Sequence, residues 1–165
     1  MTRLRASALV VFALAALAAL PLPAATPPDA VKDTAAHRVN SGLARISIDV
    51  GGRAIRVEVA DSAGVRETGL MNRFSIPADE GMLFVFPVPQ PLAFWMHDTY
   101  MPLSIAFIDA EGRILNIEEM APRSDATHLS HGEALYALEM RQGWFRRHGI
   151  EPGAFVTHLP KPSRD

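Results

Sequence analysis

Ile46-Ser47-Ile48-Asp49-Val50-Gly51-Gly52-Arg53-Ala54-Ile55-Arg56-Val57-Glu58-Val59 decides the fold class. Ile46, Ile48 and Val50 alternate with Ser47 and Asp49. Ile55, Val57 and Val59 alternate with Arg56 and Glu58. A period of two marks strands with one buried face. Gly51-Gly52 can supply the two positive φ angles of a tight primed turn, whose twist matches an antiparallel pair. Residues 46–59 therefore predict a β-hairpin.

Working outward, turn signals continue to separate short apolar runs. Residues 81–86 are continuously apolar, as in a strand buried on both faces. Pro87, Pro89 and Pro91 then predict its end in a loop or sheet edge, because proline donates no ladder hydrogen bond. Residues 92–96 start another strand. Residues 104–108 and 113–117 flank Asp109-Ala110-Glu111-Gly112, a hairpin loop with glycine in the left-handed position. Residues 135–140 form a further strand, and Pro152-Gly153 turns the chain into a last one over 155–159. One short helix is expected over 63–70, capped by Asp61 or Ser62. A second is expected over 142–148, stopped by Gly149 with Ile150 packing back on it. The fold class is mainly β (α+β): a compact, mainly antiparallel barrel-like or rolled sheet with two short helices.

The chain of 165 residues suits one domain and a tail. Arg3 and Arg5, an apolar stretch over 6–20, Pro21 and Pro23, then Ala24-Ala25 have the order of a secretory signal peptide. Residues 1–25 are read as that peptide and 26–44 as a flexible linker, with 45–160 a single β-rich domain and 161–165 a tail. The expected location is the periplasm or cell envelope. Contact with the membrane is expected only through the N-terminal segment, if it stays uncleaved. Eighteen acidic and 16 basic residues give a net charge of −2, which argues against a nucleic-acid partner. Cysteine is absent, which excludes disulfides, zinc thiolates, iron–sulfur clusters and a cysteine nucleophile. No cofactor is expected.

The densest group of chemical side chains is Phe94-Trp95-Met96-His97-Asp98-Thr99. On a strand, Trp95, His97 and Thr99 would share one face. Large apolar groups followed by a few polar ones suit the wall of a small-molecule site. Trp95, His97, Asp98, Thr99 and Ser104 are the candidate ligand-binding residues. His97 can exchange a proton near neutral pH, with Asp98 as its orienting partner. The competing reading is a turn at Asp98-Thr99 and a histidine satisfied at a sheet edge. Glu139 lies between Leu138 and Met140 in an apolar strand, and is either a third acid–base candidate or half of an ion pair with Arg141. Asp125, His128 and His131 have ligand types for a divalent metal but no further strong ligand near them in sequence, so a solvated loop is the expectation. Glu67 and Arg73 bracket the Gly69-Leu70-Met71 turn and read as structural. Ser104, His97 and Asp98 lie too close along one segment for a catalytic triad.

Four ordered blocks carry a resemblance. Gly69-Leu70-Met71-Asn72-Arg73, Gly81-Met82-Leu83-Phe84-Val85-Phe86, Phe94-Trp95-Met96-His97-Asp98-Thr99 and Pro102-Leu103-Ser104-Ile105-Ala106-Phe107-Ile108-Asp109 resemble the domain of unknown function 192 family, a widespread prokaryotic family often preceded by a signal peptide. Leu138-Glu139-Met140, Gly143, Gly149-Ile150 and Gly153 are similar to its C-terminal part. The resemblance spans residues 46–158 and implies a β-rich, barrel-like single domain without a settled activity. The family usually carries a Lys-Asn pair at the place of His97-Asp98 and Asp at the place of Ser104. Three functions stay open: an envelope binding module for a small or extended ligand, an acid–base hydrolase or isomerase using His97 with Asp98 or Glu139, and an accessory protein that binds another envelope protein.

Overall fold

A computed structural model describes residues 38–165. The signal-peptide reading and most of the linker reading lie outside the described residues. The hairpin forms where expected: β1 (Arg45–Val50) and β2 (Arg53–Ala60) pair antiparallel, with Val50 opposite Arg53. Gly51 and Gly52 have φ of 58° and 87°, and the Asp49 carboxylate accepts the Gly52 amide at 2.7 Å. Then follow α1 (Ala63–Thr68), β3 (Glu80–Phe94), β4 (Leu103–Ile108), β5 (Ile114–Met120), β6 (His128–Arg141), α2 (Trp144–Arg147) and β7 (Val156–Thr157). Ser62 occupies the cap position of α1, but its side chain makes no cap hydrogen bond.

The seven strands form one sheet in the order β5-β4-β6-β3-β2-β1-β7. It curls into a half-barrel whose two edges meet at a single bridge, Arg113 to Phe155. All strand pairs are antiparallel except β2–β3, where α1 provides the crossover a parallel pair needs.

β3 corrects one expectation. It runs on through Pro87, Pro89 and Pro91 as one strand to Phe94, rather than ending before them. Its pairing with β2 stops at Phe84, so the prolines lie where β3 pairs with β6 alone. A register shift between Val85 and Gln90 absorbs Pro87 and Pro89, and a second between Pro91 and Ala93 follows Pro91. The edge part of the proline argument holds; the strand break does not.

The alternating side chains of β3, β4 and β6 fill two cores. Inside the curl, Ile48, Val57, Leu83, Ile108 and Leu138 pack with Trp144 and Phe145 of α2. The convex face carries Met82, Phe84, Ile105 and Phe107, under Leu70, Met96 and Met101 from the connecting segments. Strands buried on both sides explain why residues 81–86 and 134–140 are so apolar. Two arginines fasten the segments over the convex face. Arg73 pairs with the Glu58 carboxylate at 2.7 Å, and Arg45 joins the same carboxylate at 2.8 Å. Burial opposes ionisation of Glu58, but the Arg73 and Arg45 guanidiniums prevail and hold its pKa below the usual carboxylate range. Arg73 also donates to the Asn40 carbonyl at 2.7 Å, and the Asn40 amide donates to Val65 and Gly69 carbonyls, so this part of the linker segment lies against α1.

Candidate functional site

On the convex face lies a cavity of about 770 Å³, within the range of roughly 300–1,000 Å³ common for small-molecule sites. One wall comes from α1 and the turn after it, through Thr68, Gly69, Leu70, Met71 and Asn72. Another comes from Phe84, Phe86, Ala93 and Phe94 of β3, and the rim from Trp95, His97, Asp98 and Thr99. These walls draw on three of the four blocks quoted above for the family resemblance: residues 69–72, Phe84 and Phe86, and residues 94, 95 and 97–99. The turn at 69–72, whose bracketing residues Glu67 and Arg73 read as structural from sequence, lines one side of the cavity. Gly69 has φ of 46°, and a Cβ there would stand 3.2 Å from the Phe84 ring. Glycine lets the turn close down on the aromatic wall.

Glu139 supplies the floor. It lies on β6, the strand between β4 and β3, opposite Met82 and Ile105. Its neighbours Leu138 and Met140 point into the inner core, so strand alternation sends Glu139 to the cavity face. It is 4% exposed. No described residue donates a hydrogen bond to its carboxyl or forms an ion pair with it, Arg141 included. Burial alone pushes its pKa up to about 8. At neutral pH the carboxyl is therefore mostly protonated, able both to donate and to accept a hydrogen bond.

His97 lies at the rim and is half exposed. Its Nδ1 is 3.4 Å from Asp125 Oδ1 and its Nε2 3.7 Å from Asp98 Oδ2, while its ring stacks on Trp95 at 4.9 Å. The strand geometry expected for Trp95, His97 and Thr99 is replaced by a turn, because β3 ends at Phe94 and the Thr99 amide donates to the Met96 carbonyl. The turn still brings Trp95, His97, Asp98 and Thr99 to one cavity.

Ser104 is not part of it. The residue faces the inner side of the sheet, opposite Met140, and its buried Oγ accepts the Gly143 amide at 2.8 Å. A one-residue step along β4 decides the face, and the hydroxyl is used to hold the start of α2. The trio Asp125, His128 and His131 does not converge either. Asp125 approaches His97, the His128 ring contacts Glu118 at 3.1 Å, and the His131 backbone amide donates to Asn116. Among the described residues, no three histidine or acidic side chains gather as a metal-binding group.

Fold and cavity together define a small rolled-sheet domain with a cavity of small-molecule size on its convex face. The chain belongs to the domain of unknown function 192 family, DUF192, described as an uncharacterized ACR, whose model matches residues 46–158. It is similar to a solved structure from Sinorhizobium meliloti 1021, described as a candidate transcription regulator. The identity is 35% and the TM-score 0.67, over 72% of this chain and 96% of that one. It is also similar to a protein of unknown function from Novosphingobium aromaticivorans DSM 12444, at 32% identity and a TM-score of 0.68, over 74% of this chain and 96% of that one. No curated protein matches the chain.

Proposed function

We propose that the chain is an exported binding module of the cell envelope and holds a small ligand in the cavity between the α1 turn and the end of β3. The observation that carries this reading is Glu139: a buried carboxyl with no partner among the described residues, opening into an aromatic-walled cavity. An ionisable group in an apolar core costs stability, and apolar replacements usually cost less. Its presence under a cavity is accounted for by a ligand that uses it. A regulator of transcription, the description attached to the Sinorhizobium protein, would call for a basic surface, which a net charge of −2 does not favour.

Glu139 also supports a second reading. A carboxyl that titrates at about 8 suits proton donation near neutral pH, as an acid–base enzyme requires. Binding and turnover separate in one experiment. Native mass spectrometry of protein purified gently from its own host should show a bound small molecule on the parent. Ala93→Trp, which fills the cavity from an exposed position on its wall, should remove that molecule. Parent protein that carries nothing and shows no thermal stabilisation by envelope metabolites contradicts the binding reading. Conversion of the bound molecule, lost in Glu139→Gln, would favour the enzyme.

A further inference from the structure

We infer, resting on the binding reading above, that the ligand is an organic cation, an ammonium group on an apolar body, with Glu139 as its counter-ion. Ionising a buried carboxyl requires a cation beside it, and no described residue supplies one to Glu139. Its cross-strand neighbours Met82 and Ile105 are apolar. Arg66 lines the cavity, but its guanidinium donates to the Val85 carbonyl at 2.9 Å, the Ser163 hydroxyl at 3.2 Å and the Asp165 carbonyl at 2.6 Å, and it lies over the Phe86 ring. The other titratable groups lining the cavity are Arg38, Glu67, His97 and Asp98. Arg38, Glu67 and His97 are exposed and Asp98 is half-buried, so all four are far better solvated than Glu139.

The walls favour the same chemistry. Phe94 stands edge-on to Phe84 at 4.9 Å and to Phe86 at 6.4 Å, and Trp95 flanks the entrance. Aromatic rings present negative faces, and desolvated ring clusters bind ammonium ions. Glu67 and Asp98 in the lining offset Arg38 and Arg66 there, so the fixed charges around Glu139 balance and do not oppose a cation. On entry the ammonium replaces the Glu139 proton, which leaves to solvent: neutral acid plus cation becomes a carboxylate–ammonium pair plus one released proton. Affinity is therefore coupled to pH through Glu139.

Isothermal titration calorimetry in two buffers of different ionisation enthalpy tests the inference, with benzyltrimethylammonium as cation and benzyl alcohol and benzoate as neutral and anionic comparators. The quaternary probe has no proton of its own, so any proton released comes from the protein. At pH 7 the cation should bind about tenfold or more tighter than either comparator and release close to one proton. Its affinity should rise about tenfold from pH 6 to 7 and level off above pH 8. Glu139→Gln, checked for an intact melting transition, should abolish the proton release and weaken the cation about tenfold. Benzyl alcohol or benzoate binding as tightly as the cation, without proton release and blocked by Ala93→Trp, overturns the cation while leaving the binding reading standing. If none of the three probes binds, the cation inference falls, and the native mass spectrum decides the binding reading separately.

Discussion

The Asn72 amide donates to the Asp98 carbonyl at 2.8 Å, and both residues are left-handed, with φ of 60° and 50°. This bond ties the turn after α1 to the turn after β3, the two segments that form opposite sides of the cavity mouth. Asn and Asp tolerate this conformation better than other non-glycine residues, because their short polar side chains bond locally. The pair therefore sets the width of the opening without buried packing of its own.

Asp98 should accept substitution according to backbone tolerance. Asp98→Asn and Asp98→Gly should leave stability within about 0.5 kcal/mol of the parent. Asp98→Val forces a β-branched residue into positive φ and should cost about 1–2 kcal/mol. Urea unfolding of the three variants measures this. A valine variant as stable as the parent would show that the turn can rearrange.

Glu139 should make stability fall as pH rises. Its pKa moves from 4.5 to about 8 on folding, so between those values the folded state holds a proton that the unfolded chain has lost. Stability from this group is full below pH 4.5 and drains by about 1.4 kcal/mol per pH unit until pH 8. Glu139→Gln should remove that slope, matching the parent near pH 5 and exceeding it at pH 9. Parallel slopes for the two proteins would mean that Glu139 is ionised or paired in the folded state. Glu58 acts in the opposite sense: its lowered pKa gives stability that is present above the ordinary carboxylate range and lost as pH falls through it.

Arg73 should matter to the fold more than an exposed ion pair does. Arg73→Ala leaves the mostly buried Glu58 with Arg45 alone and removes the bond to the Asn40 carbonyl. A loss of about 1–3 kcal/mol is expected in chemical denaturation. A change below about 0.5 kcal/mol would place the pair with ordinary surface bridges.

Ser104→Ala separates scaffold from site. The variant deprives the buried Gly143 amide of its 2.8 Å acceptor and leaves Glu119 at 3.2 Å. It should lower stability by about 1 kcal/mol and leave ligand binding unchanged. Lost binding with parental stability would return Ser104 to the site.

The strands were readable from period and turn chemistry. Gly51-Gly52 and Asp109-Ala110-Glu111-Gly112 each form a hairpin where their conformational demands place one, and Gly149 stops α2 with φ of 66° and Ile150 buried behind it. The passage of β3 through three prolines was not readable. Whether a proline meets a partner strand depends on where β2 stops pairing, and that is settled by tertiary structure. The site divides in the same way. Residues 95–99 stand out by composition, and their neighbourhood survives the change from strand to turn. Glu139 looked ambiguous because alternation tells that it faces away from Leu138 and Met140, but not that a cavity lies on that side. Ser104 neighbours the cavity-lining residues in sequence, but the pleat turns it to the other core, which the sequence alone does not show.

The most direct measurement is a carbon-13 NMR titration of the Glu139 carboxyl, alone and with saturating benzyltrimethylammonium. The free protein should titrate near pH 8, and the bound protein well below that, because the ammonium stabilises the carboxylate. A free-protein titration near the ordinary value of 4.5, unmoved by the cation, would contradict both the unpaired carboxyl and its role in the cavity.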